Sequence, residues 1–247
     1  MKKSMLRMFM GVLIVVLVFA NGISISASST SLDKNVTELV KLQPGITLEE
    51  VEETVAIYAK AIGKSEIEAS NELLEELNAQ LKADEIEQAE QNAINGGSSG
   101  NYKLPIASRK GDIFYTPSST LGIQHGHNGI YYTTTTIAES IPSTGVRYIN
   151  YRDRNVERNA VVQYVNTSTA NRNAAADWAR SRTGDSYSYN FATNRLTGHY
   201  GAKNCSKLLW SAFKLKAGID IDVNLGGGVY PKDIRDSGYT VTYRVIS

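Results

Sequence analysis

Cysteine is almost missing from this chain: Cys205 is the single one among 247 residues. A lone cysteine closes no internal disulfide, so the usual reason for keeping cysteine in an exported chain is absent. Histidine is nearly as scarce, with His125, His127 and His199 only, which leaves few candidates for imidazole chemistry. His125 and His127 lack a third ligand at a recognisable spacing, which argues against a zinc site; no metal and no cofactor is expected. The run Gly226-Gly227-Gly228 lacks the strand, lysine and helix of a phosphate-binding loop and reads as a plain turn. Basic residues are not interleaved with aromatic ones in a recognition pattern, so nucleic acid is not an expected partner. No apolar run long enough to span a membrane follows Ala20.

What is present begins with an export pattern. Lys2, Lys3 and Arg7 open the chain, an uncharged apolar run covers Phe9–Ala20, and the small-residue stretch Ser24-Ile25-Ser26-Ala27-Ser28 follows. These are the three parts of a secretory signal peptide. The apolar run is short beside the roughly 20 residues of a spanning helix. The expectation is a signal segment 1–28, cleaved after Ser26 or Ser28, with an uncleaved anchor as the alternative. The expected product is soluble and secreted, extracellular or associated with the cell wall.

The remaining chain divides by charge. Residues 29–97 carry five lysines against fifteen acids, a net −10, and residues 98–247 carry eighteen basic residues against ten acids, a net +8. The stretch Asn95-Gly96-Gly97-Ser98-Ser99-Gly100-Asn101 lies between them and reads as a flexible linker, with 98–102 as its core. The acidic part reads as helices. Thr47-Leu48-Glu49-Glu50 and Ser65-Glu66-Ile67-Glu68 are capping-box patterns. Val51, Val55, Tyr58 and Ala59, then Ile67, Leu73, Leu74, Leu77 and Leu81, recur at helical spacing. Such helices bury little core alone, so they are expected to pack together, on the basic half or on a partner. A helical acidic segment between a signal peptide and a basic domain suggests a pro-region or accessory region held by opposite charge, with inhibition as one role.

The basic half has room for one domain. Strand patterns appear at Gly111–Tyr115, Gly129–Tyr132, Ile137–Ser140, Val146–Ile149, Val161–Val165 and Tyr239–Ile246. Helical patterns appear at Ala170–Arg182, with Ala174, Ala175, Trp178 and Ala179 as the apolar face, and from Cys205 to about Ala217, ended by Gly218. Early strands and late helices point to α+β. Cys205 heads its helix, where a thiol is acidified; the plain alternative is a small buried apolar residue. A thiol nucleophile needs a base and an orienting group. His127 opens a strand, His125 lies two residues before it, and His199 sits in a loop. Glu139 is an acid on an otherwise apolar strand, facing either solvent or a partner.

The ordered segments Gly111-Asp112-Ile113, Gly126-His127-Asn128-Gly129-Ile130-Tyr131, Ile137-Ala138-Glu139 and Asn204-Cys205-Ser206-Lys207-Leu208-Leu209-Trp210 resemble the circularly permuted branch of the NlpC/P60 papain-like superfamily, the YiiX/YycO-like group. The resemblance covers most of 103–247. It implies a permuted papain-like α+β domain, preceded here by a small acidic α-helical region. It also implies a cysteine hydrolase of amidase or peptidase type, with Cys205 as nucleophile, His127 as base and Glu139 orienting the histidine. His125 and His199 have no counterpart in the motif, and Lys207 stands where the family often has an acid. The expected substrate is an amide bond in cell-wall peptides. An acylated lipid, hydrolysed or used for acyl transfer, and a binding module without activity are the alternatives.

Overall fold

The computed structural model describes residues 30–95, 102–120, 123–124 and 126–247. The expected signal segment with its cleavage positions, residues 98–101 of the linker, and His125 lie outside the described residues. Three helices come first: α1 over residues 30–41, α2 (Leu48–Ile62) and α3 (Glu66–Asn95). Both capping boxes form. Thr47 Oγ1 accepts the Glu50 N–H at 3.2 Å while Glu50 Oε2 accepts the Thr47 N–H at 2.8 Å. Ser65 and Glu68 repeat the exchange at 3.3 and 2.9 Å.

The apolar faces of these helices meet in one cluster, with Leu39 of α1, Val51, Val55 and Ala59 of α2, and Ala69, Leu73 and Leu77 of α3. The cluster does not close on itself: it takes in Phe191, Ala192 and Tyr230 of the basic half. Three helices of this size bury too little surface alone, and the shared cluster supplies the rest. Charge complementarity becomes specific at one end of α3, where Glu87 pairs with Lys232 at 2.8 Å and Arg235 at 2.5 Å. The glycine run read as a plain turn has a further task. The N–H groups of Gly227 and Gly228 donate to the Glu76 carboxylate of α3 at 3.0 and 3.2 Å. That partner lies about 150 residues away in sequence and leaves no local signal.

The basic half is α+β. The short strand β1 (Tyr102–Lys103) pairs with β8 (Asn155–Val156), and β3 (Ser119–Thr120) pairs with β4 (Ile123–Gln124). The main sheet is antiparallel and contains β2 (Ile113–Thr116), β5 (His127–Thr133), β6 (Thr136–Ile141), β7 (Gly145–Asn150), β9 (Val161–Val165) and β10 (Thr240–Val245). Their spatial order is β10-β9-β2-β5-β6-β7. Side chains alternate across a strand. Ile113, Ile130, Ala138 and Val146 therefore face α4 (Thr169–Ser181) and α5 (Cys205–Ala217), whose Trp178, Ala179, Leu209 and Phe213 complete that core. Phe114, Tyr131, Ile137 and Val162 point to the other face, beneath Leu104 and Val156. The short helix α6 (Pro231–Arg235) precedes the edge strand β10. The buried stripe of α4 differs by one position from the sequence reading. Ala176 is in the core and Ala174 is half-buried.

Candidate active site

Cys205 is the first residue of α5, and Asn204 caps that helix by accepting the Lys207 N–H on Oδ1 at 2.9 Å. The first N–H groups of a helix have no intrahelical acceptor. Here backbone hydrogen bonding from Cys205 and Ser206, with that of Asn128 in β5, acts to lower the thiol pKa. Cys205 is only 2% exposed. Burial dominates its titration and pushes the thiol up to about 11, while the three N–H groups and the charge of Arg154 pull the other way.

His127 begins β5 and Glu139 lies in β6. Tyr131 pairs with Ile137 across these strands, so the two-residue alternation puts His127 and Glu139 on the same face as that pair. His127 Nε2 and Glu139 Oε2 are 2.6 Å apart. The other carboxylate oxygen accepts two bonds from Arg147, at 2.9 Å from Nε and 2.5 Å from Nη2. Arg147 is its register partner on β7. Arg154 stands 3.4 Å from Oε2. Burial raises the pKa of Glu139, but the bond to His127 and the charges of His127, Arg154 and Arg147 outweigh it and hold the carboxyl well below its usual range. The anionic carboxylate fixes the proton of neutral His127 on Nε2, which leaves Nδ1 as the basic nitrogen. Burial first, and Arg154 second, lower the pKa of His127, with Glu139 opposing them. Low imidazole pKa and high thiol pKa both favour a neutral resting pair.

A glycine shapes this corner. A Cβ on Gly129 would lie 2.5 Å from Phe114 Cε1 and 3.1 Å from the Ala138 carbonyl oxygen. The bare backbone lets the Phe114 ring cross the strand between Tyr131, edge-on at 6.2 Å, and His127, at 5.9 Å. The imidazole is thus held by an aromatic ring as well as by a carboxylate.

The structure brings His127 and Glu139 into direct contact. It packs the helix that Cys205 begins against the same strand. Among the described residues no hydrogen bond joins Cys205 to the imidazole. His199 is elsewhere: it stacks on Trp210 at 5.2 Å, with Nδ1 3.0 Å from Ser211 Oγ. Lys207 is buried, donates to the Thr197 carbonyl at 2.9 Å and lies over Trp210 at 4.4 Å. Burial first, then Arg195 and Lys203, lower its pKa to about 7. Among the described residues no group of three or more His, Cys, Asp or Glu side chains is gathered to hold a metal ion.

Several neighbours were not legible in the sequence. Arg147 requires the β6–β7 register. Arg154 follows a single 3-10 turn, Tyr151–Asp153, and its charge reaches Cys205, His127 and Glu139 alike. Tyr187 is close enough to feel the charge of Cys205. Among the described residues the buried amide of Asn128 has no hydrogen-bond partner on either Nδ2 or Oδ1. Asn204 carried a readable signal, since asparagine is a preferred N-cap.

A buried acid–imidazole pair beside a cysteine at a helix N-terminus is an arrangement suited to acyl transfer. Residues 106–231, about half of the chain and including all three side chains, match the model of the permuted papain-like amidase family YaeF/YiiX, C92. The chain belongs to this family, and with it to the hydrolases of cysteine-type amide chemistry. It is similar to YycO of Bacillus subtilis (strain 168), 46% identical over 235 residues that cover 94% of this chain and 96% of that protein. A solved structure described as metalloprotein YiiX from Escherichia coli O157:H7 is also similar, with a TM-score of 0.43 at 15% identity, covering 57% of this chain and 98% of that one. The family match sets the resemblance at the permuted papain-like level, without the NlpC/P60 designation.

Proposed function

We propose that the protein is an exported cysteine amidase that cleaves amide bonds in cell-wall peptides, with Cys205 as nucleophile, His127 as base and Glu139 as the group that orients the imidazole. The observation that carries this reading is the 2.6 Å contact between buried His127 and Glu139, on strands packed against the helix that Cys205 begins. The basic residues at the chain start, the apolar run and the small-residue stretch support export. The net positive charge of 98–247 suits an anionic wall.

The chemistry follows from the protonation states. Nδ1 of His127 takes the Cys205 proton as the sulfur attacks the carbonyl carbon. The N–H of Cys205 is the donor assigned to the oxyanion in this reading. The C–N bond then breaks, the amine leaves with the proton from Nδ1, and a thioester remains. Water attacks that thioester, giving its proton to Nδ1, and the carboxylic acid departs as the thiol is restored. Imidazolium forms only transiently, and Glu139 stabilises it.

The test uses the full chain and its Cys205→Ala variant on peptidoglycan fragments and on acylated lipids. New amines from wall peptides, lost in the variant, are the expected result. Release from lipids alone refutes the wall substrate. No turnover on either, with a thiol inert to electrophiles, points instead to a binding module.

A further inference from the structure

The turn between α1 and α2 holds a loop that reaches the cysteine helix. Gln43 is buried there, and its Oε1 accepts the N–H groups of both Phe191 and Ala192 at 2.9 Å. Its Nε2 donates to the Leu39 carbonyl at 3.2 Å. Gly45 has a φ of +102°, and a Cβ on it would lie 2.6 Å from Tyr189 Cγ. The turn therefore clasps residues 189–192 by hydrogen bonds and by close approach. Inside that loop, the Asn190 carbonyl accepts Asn204 Nδ2 at 2.9 Å. Asn204 is the N-cap of the helix that Cys205 begins.

A second arm ends at the same place. Glu76 holds the N–H groups of Gly227 and Gly228. The next residue, Val229, exchanges bonds of 2.7 and 3.0 Å with Asn194, and its carbonyl accepts Ser206 Oγ at 2.7 Å. Asn194 Nδ2 reaches Asn204 Oδ1 at 3.3 Å. Among the described residues no hydrogen bond or ion pair runs from residues 30–95 to Cys205, His127 or Glu139. The acidic helices touch the site through these two loops.

We propose that the acidic helices are an intramolecular brace of the active site, and that Gln43 is a positioning residue that sets the N-cap of the cysteine helix through the 189–192 loop. Two buried N–H groups depend on one side-chain oxygen, and a buried donor left unpaired drives local rearrangement. The loop then shifts, Asn204 loses its anchor, and the first N–H groups of the cysteine helix move. The thiolate is less stabilised as a result. This assigns the segment a supporting role, where a propeptide would be inhibitory.

The lone cysteine makes the test clean, because a thiol reagent reports on Cys205 alone. In the full chain, Gln43→Met keeps the side-chain size and removes the acceptor, Gln43→Glu restores an acceptor, and Arg235→Gln breaks the Glu87 pair at the far end of the interface. The readouts are the pH profile of Cys205 alkylation by iodoacetamide and thermal denaturation. Gln43→Met is expected to move the alkylation midpoint to higher pH and slow the reaction at neutral pH by about 3- to 10-fold. Gln43→Glu is expected to return it to within about twofold. Arg235→Gln is expected to lower the melting temperature and leave the midpoint in place. An unchanged midpoint in folded Gln43→Met, faster alkylation in it, or an equal shift in Arg235→Gln overturns the brace. Should Gln43→Met fail to fold, Glu76→Gln on the second arm is read in the same way, with the same upward shift expected and an unchanged midpoint again overturning the brace. The readout is the thiol and not turnover, so its failure is separate from failure of the proposed amidase activity.

Discussion

Glu139→Gln is a change of one atom type with almost no change of shape. The amide oxygen can keep both bonds from Arg147. Its nitrogen then stands where Oε2 was, 2.6 Å from His127 Nε2. Two donors would face each other, so the imidazole proton must move to Nδ1, where it blocks transfer from the thiol. A wrong tautomer costs a serine triad about 10⁴ in turnover; a thiol ionises more readily than a hydroxyl, and general-base assistance is worth about 10²–10⁴. We therefore expect a loss of about 10²–10³ in turnover. Stability also falls. The side chains of Arg147 and Arg154 are 29% and 18% exposed, so both reach water in part after losing their counter-charge. The cost then sits at the lower end of the range for breaking a buried pair, about 3 kcal/mol. The assay is alkylation of Cys205 across about pH 5 to 10, followed by mass spectrometry, with thermal denaturation in parallel and the Cys205→Ala chain as blank. A folded Glu139→Gln protein that alkylates at the parental rate and with the parental pH profile refutes the orienting role.

Other expectations are independent of this one. Arg154 lowers the pKa of both His127 and Cys205, so Arg154→Met should raise both. The imidazole then protonates at higher pH and the acid limb of the activity profile moves upward; an unmoved limb counts against the electrostatic role. Lys207 titrates at about 7 in the folded chain against 10.5 when free. Between those values the unfolded state binds more protons, so this group makes stability rise with pH. Melting of Lys207→Met at pH 7 and pH 10 should show a smaller rise than the parent, and an equal rise contradicts the buried neutral amine. The fragment 98–247 uncovers Phe191, Ala192 and Tyr230, which the helices bury. It should bind a hydrophobic dye and melt below the full chain; a more stable and more active fragment would favour an inhibitory segment instead.

Local rules decided much of this protein. The capping boxes at Thr47 and Ser65, the helix from Cys205 to Gly218, and strands such as His127–Thr133 and Val161–Val165 follow from periodicity and cap chemistry, which act within a few residues. The scarcity of cysteine and histidine narrows the candidates, and the ordered motifs of the permuted papain-like group imply the roles proposed for Cys205, His127 and Glu139. The tertiary structure decided what depends on register and long-range contact. Whether Glu139 faced solvent or a partner was open until β5 and β6 aligned and set its oxygen on His127. Arg147 arrived by cross-strand pairing and Arg154 from a turn with no pattern of its own. The partner of the glycine run, Glu76, and the grip of Gln43 on the loop before Cys205 join residues about 150 positions apart. A hydrogen bond formed only on folding leaves no periodicity in the chain, and for that reason these contacts are visible only in three dimensions.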